Sequence, residues 1–116
     1  MDHKILKYLI ENPVLNRTIE YNDNRISLYS GQNGKCQITG KNLEIGEMHC
    51  HHKVKYSETK DDGYYNLVYT QKDLHILIHA TEKETIEKYV NLLKLTKEEI
   101  GKVNEYRKKL QIEEIS

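Results

Sequence analysis

Five of the six histidines in this sequence of 116 residues fall between positions 49 and 79. A solvated surface has no reason to crowd imidazoles in this way. Metal binding or proton transfer does, because both need nitrogens that change protonation state near neutral pH. A chain this short has room for one small core and no second ordinary domain, so a compact motif must gather them. They come as two groups, His49-Cys50-His51-His52 and the pair His75 and His79. Four residues apart on a helix, the pair projects from one face about one turn apart, a spacing that can chelate one divalent ion. Taken alone, such a pair fits surface histidines without a role equally well. The first group changes the balance. Neighbours on a strand point in different directions, so one of His51 and His52 can hold a metal while the other faces a water molecule. Hydrolysis of a phosphodiester needs that division: a cation for the developing charge and a neutral imidazole to take the proton from water. Three nitrogen ligands also leave coordination positions open, as a catalytic site must.

The rest of the chain supplies a frame for these groups. Ile5, Leu6, Leu9 and Ile10 have helical spacing, and Asn12-Pro13 stops the run because the residue before proline is pushed out of the helical region. Asn22-Asp23-Asn24 offers capping side chains ahead of a second short helix through Ile26, Leu28 and Tyr29, with Gly31 and Gly34 as its stop. From Cys36 the signals become strand-like. Cys36-Gln37-Ile38, a Thr39-Gly40 turn, a polar connector and Met48 to His52 predict an irregular hairpin. Residues 53 to 65 are polar and carry Asp61-Asp62-Gly63, a surface loop before the apolar Leu67-Val68-Tyr69. Thr70 with Asp73, Thr81 with Glu84 and Thr96 with Glu99 then have the capping-box spacing of three helix starts. Ile86, Tyr89, Val90 and Leu93 line one face of the second of these helices, and Ile100, Val103 and Leu110 one face of the third. The expected class is α+β, a short irregular hairpin flanked by N-terminal and C-terminal helices. It divides into an N-terminal arm with short helices (1–33), a core (34–81) and C-terminal packing helices (82–116), all in one compact domain.

Composition narrows the function. Nine tyrosines with no phenylalanine or tryptophan predict a partly polar core. Eighteen basic and eighteen acidic residues cancel, so there is no general basic excess for nucleic acid. Arg17, Arg25, Lys35, Lys41, Lys53 and Lys55 are candidates for a local basic face. No secretory leader and no membrane-length apolar run are read, which predicts a cytoplasmic chain without membrane partners. In that compartment Cys36 and Cys50 are expected as thiols, either small buried ones or partners of histidine in a structural zinc site.

The succession His51-His52, Asn66 and His75-x3-His79 resembles the HNH endonuclease motif. The similarity extends to Asn12-Pro13-Val14-Leu15-Asn16-Arg17, Tyr21 through Tyr29, Gly34-Lys35-Cys36 with Thr39-Gly40, Glu47 through His52, and Leu74 through Thr81. These stretches look like the C-terminal region of group II intron reverse transcriptase/maturases. The resemblance implies a ββα-metal core, with His51, His75 and His79 as ligands of one divalent ion; zinc, magnesium, manganese and nickel are not distinguished. It implies His52 as the general base and Asn66 as the residue that braces the loop and orients His52. DNA would be the substrate, nicked or cleaved, and group II intron RNA a partner through a larger parent protein. Two departures matter. No pair of Cys-x2-Cys knuckles is present, so no four-cysteine zinc site is expected. The Gly-Gly-x-Asp loop of relatives is replaced by Ser57-Glu58-Thr59-Lys60-Asp61-Asp62-Gly63. Two alternatives stay open: a nucleic-acid-binding module that keeps the metal as a structural element and does not cut, and a purely helical interaction domain.

Overall fold

The computed structural model describes residues 1–116. Asp2 opens helix α1 (His3–Glu11) by accepting the Lys4 N–H, and the helix ends at Asn12, ahead of Pro13, as the sequence predicts. Helix α2 (Ile19–Gly31) starts earlier than expected. Its cap is Thr18, whose hydroxyl accepts the Tyr21 N–H at 2.9 Å. Asn22, expected among the capping side chains, lies inside the helix and works sideways, accepting the Val14 N–H at 2.7 Å and so fixing the turn between the two helices.

The hairpin forms with a different partner from the one predicted. Strand β1 (Met48–His52) pairs antiparallel with β2 (Leu67–Gln71), with His51 opposite Val68 and His52 opposite Leu67. Cys36-Gln37-Ile38 is instead closed into a tight loop. The Cys36 N–H donates to Lys41 O at 2.8 Å, the Gly40 N–H to Cys36 O at 2.9 Å, and one bridge joins Lys35 to Asn42. Gly40 sits at φ +72° here, a conformation that costs glycine little. The run Leu67-Val68-Tyr69-Thr70 is the better strand, apolar or β-branched at every position. Its outer edge is occupied at Tyr69 by the Gln32 side chain, which both donates to and accepts from the Tyr69 backbone at 2.9 Å. Between the strands lie a short helix α3 (Tyr56–Thr59) and a 3-10 turn at Tyr64–Asn66.

Helix α4 (Lys72–His79) follows β2 directly, with α5 (Lys83–Leu93) and α6 (Lys97–Lys109) behind it. Of the three predicted hydroxyl caps one forms. Thr70 belongs to β2 and is fully buried, and α5 follows Glu82 with no side-chain cap. Thr96 makes the full reciprocal box with Glu99, at 3.1 and 2.9 Å. Thr96→Ala is therefore expected to destabilise the fold by about 1 kcal/mol, measurable as a lower urea midpoint at unchanged slope. An unchanged midpoint would show that α6 is held by packing alone.

The core joins Ile5 and Leu9 of α1, Leu28 and Tyr29 of α2, the hairpin, Leu74, Leu77 and Ile78 of α4, and Val103 of α6. Two arginines are buried in it, where charge is rare unless paired. Each serves the C-terminal carbonyls of another helix, where the regular i+4 donors run out. Arg25 of α2 donates to Leu9 O at 2.9 Å and Asn12 O at 2.5 Å, so it does not join the basic surface predicted for it. Arg107 of α6 donates to Leu77 O at 2.8 Å and Ala80 O at 2.7 Å. Cys36 and Cys50 are free, buried thiols. No helix is long and apolar enough to cross a membrane.

Candidate metal centre

Alternation along β1 and β2 gives the hairpin two faces. His49, His51, Val68 and Thr70 share one; Cys50, His52, Leu67 and Tyr69 share the other. On the first face His51 meets His75 and His79, which the helical spacing of four places side by side. The ring centroids are 5.2 Å from His51 to each and 4.6 Å between the pair. One nitrogen from each of the three lies within 4.8 Å of the others, so small side-chain rotations close them onto a single ion.

Donor chemistry fits such an ion. Buried polar atoms are nearly always hydrogen-bonded, yet His51 Nε2 is buried with no partner in the protein. A ligand lone pair directed at a cation accounts for it. Burial first, then the neighbouring imidazoles His75, His79 and His49, push His51 down to about 3; burial, then His49 and His79, push His75 down to about 3. His79 is lowered by burial and by Lys55 and Arg107. Neutral imidazoles are the ligating form. Cys50 does not add to the set. It sits on the other face, and burial pushes its thiol up to about 12.

These shifts have a sign that can be tested. Unfolded imidazoles take up protons below about pH 6.5, whereas His51 and His75 stay neutral in the fold. The unfolded chain thus binds more protons, and this contribution to stability is complete above about pH 6.5 and lost as pH falls toward about 3. The metal-free protein should melt progressively lower between about pH 7 and 5, a window above the carboxylate range. A melting temperature flat across that window would contradict the lowered protonation of His51 and His75.

His49 is exposed, but its ring is stacked on His75 at 3.7 Å with the planes 20° apart. Parallel rings at that separation do not converge on one ion, so His49 steadies His75. Tyr106 of α6 packs edge-on against His51 at 6.0 Å.

His52 occupies the opposite face. Its Nε2 lies 2.7 Å from Asp62 Oδ1 and 3.3 Å from Arg17, and its ring stacks on Tyr21, 5.6 Å away, and packs against Tyr56. Arg17 also donates to Asp62 at 3.2 Å and lies over the Tyr21 ring. Asn66 is a brace. Its side chain accepts the Val54 N–H at 3.0 Å and donates to Val54 O and Asp61 O, joining the two ends of the loop that follows His52. It makes no hydrogen bond to His52; the orienting contact expected of Asn66 is made by Asp62.

The structure therefore brings His51, His75 and His79 together, and sets His52 and Asn66 beside them in a second network across the strand. Sequence reasoning missed Asp62 and the place of Arg17, Tyr21 and Tyr56 around His52. Asp62 lies in a polar run that reads as a turn, and its partners are 10 to 45 residues away. No local pattern marks it. Comparison with protein-family models and with curated proteins returns no match for the chain.

Proposed function

We propose that this chain is a metal-dependent DNA endonuclease of the HNH type, in which β1, β2 and α4 form the ββα-metal core. The reading rests on the convergence of His51, His75 and His79 around the partnerless Nε2 of His51, with His52 next in the chain and held by a carboxylate. A divalent ion bound by the triad supplies stabilisation of charge on the phosphate and on the departing oxygen. The chain's own residues do the rest. A carboxylate only accepts hydrogen bonds, so His52 Nε2 carries a proton toward Asp62, and Nδ1 keeps the lone pair that takes the proton from the attacking water. This requires the scissile phosphate to lie across the end of β1, where the strand gives way to the loop braced by Asn66. Lys53 and Lys55 follow immediately and Arg17 stands beside His52, which gives local positive charge in a chain of zero net charge.

A non-cutting module with a structural metal would need four protein ligands. The nearest further imidazole, His49, lies parallel to His75, which disfavours it as the fourth. The test is conversion of supercoiled plasmid to nicked or linear DNA by the full chain, with magnesium, manganese, nickel and zinc in separate reactions. Activity in at least one, lost on chelation, supports the reading; no cutting with a metal demonstrably bound favours the structural role.

A further inference from the structure

The carboxylate of Asp62 is 2% exposed and belongs to no part of the metal triad. A buried charge must be offset by partners, and those here come from two segments distant in the chain, the Arg17-Thr18 pair and the end of β1. The Thr18 hydroxyl donates to Oδ2 at 2.6 Å, while Arg17 and His52 both approach Oδ1, at 3.2 and 2.7 Å. Thr18 is also the cap of α2, so the carboxylate sits at the positive end of that helix's dipole. The backbone is fixed as well, since the Asn24 side chain donates to Asp62 O at 2.9 Å. Burial pushes the Asp62 carboxyl up, but Thr18, His52 and Arg17 together outweigh it and hold it below its ordinary range.

We propose that Asp62 is the positioning residue for His52, fixing it as the Nε2–H tautomer so that Nδ1 is the acceptor. Resting on the endonuclease reading for its use, the assignment follows from the hydrogen bonds themselves. Arg17 only donates and lies near both Oδ1, at 3.2 Å, and His52 Nε2, at 3.3 Å, but the shorter 2.7 Å contact joins Nε2 to a carboxylate oxygen that only accepts, and this requires the proton on Nε2. The stacked Tyr21 ring fixes the plane of the imidazole but cannot choose between its two nitrogens. Only a partner with a defined sense, such as a carboxylate oxygen, makes that choice.

A purely structural role for Asp62, clamping the loop onto the start of α2, predicts different behaviour, and two variants separate the two. In Asp62→Asn, Arg17 keeps the amide oxygen at the Oδ1 position, and the amide NH2 finds an acceptor in the Thr18 hydroxyl. The tautomer should survive. In Asp62→Ala the remaining partner of Nε2 is Arg17, 3.3 Å away, which only donates and so favours the opposite tautomer. The measurement is long-range proton–nitrogen NMR of the His52 ring in the zinc-loaded full chain, at one fixed pH with the imidazole neutral, alongside nicking kinetics and zinc affinity.

Wild type and Asp62→Asn should show the Nε2–H form, and Asp62→Ala should shift toward the Nδ1–H form. In Asp62→Ala kcat should fall by about 10²-fold, within the range of a misplaced general base, with KM and zinc affinity changed less than about 2-fold. Asp62→Asn should retain most of the wild-type rate. The inference is overturned if His52 keeps the Nε2–H tautomer in Asp62→Ala, or if wild type is not the Nε2–H form. It is also overturned if both variants lose rate and zinc affinity together, as a loosened fold would. If wild type never cuts DNA but the NMR pattern holds, the endonuclease reading fails while the role of Asp62 stands.

Discussion

His52→Ala is expected to lower the rate of plasmid nicking by about 10²- to 10⁴-fold, the usual contribution of a positioned acid or base. The loss should fall on kcat. His52 makes no contact with the rings of His75 or His79, and its partners are Asp62, Arg17, Tyr21 and Tyr56. Zinc or nickel affinity, followed by calorimetry, should therefore remain near that of wild type. His51→Ala should behave oppositely and lose the metal itself. A His52→Ala variant that cuts at the wild-type rate with any of the four ions would remove His52 as the base. One that loses metal in parallel with rate would place it among the ligands.

Arg107→Met should destabilise the fold by on the order of 3 kcal/mol, the scale for losing charge-assisted hydrogen bonds to buried carbonyls. Methionine keeps much of the apolar stem, so lost packing is minor. What goes is the set of donors: Arg107 reaches Leu77 O and Ala80 O at the end of α4, and Glu113 O in the tail. His79 lies in the turn of α4 so held, and a second consequence should be weaker metal binding even when the variant is folded. Urea unfolding with and without zinc measures both. A loss smaller than about 0.5 kcal/mol, the range of ordinary surface changes, would show that other groups satisfy those carbonyls.

Arg107 also marks where sequence reading stops. The charges of α6 read as its wet face, which Lys97, Lys102 and Lys108 obey and Arg107 does not. Nothing local separates an arginine that reaches solvent from one that reaches another helix's carbonyls. His75 and His79 were legible because helical periodicity alone puts them on one face. That a third imidazole from the His51-His52 pair joins them was also legible from the strand, but the choice of His51 came only as an implication of family likeness. The partner of β1 was misassigned: Cys36-Gln37-Ile38 has strand-like composition, but a glycine-closed loop removes it from the ladder, and Leu67 to Gln71 takes its place. Thr70 failed as a cap for a related reason, since its hydroxyl is buried in β2 where no helix start can use it. Asp62 was invisible because its meaning lies in Thr18 and His52, brought to it by tertiary packing.

The two faces of the hairpin are anchored by different halves of the chain. The triad side is fastened by α4 and α6 through Arg107 and Tyr106, and the His52 side by the start of α2 through Thr18, Asn24 and Arg17. On the endonuclease reading, grip on the ion and readiness to accept a proton would therefore be set by separate parts that share a single strand. Such a plan lets a lineage tune one property while leaving the other alone.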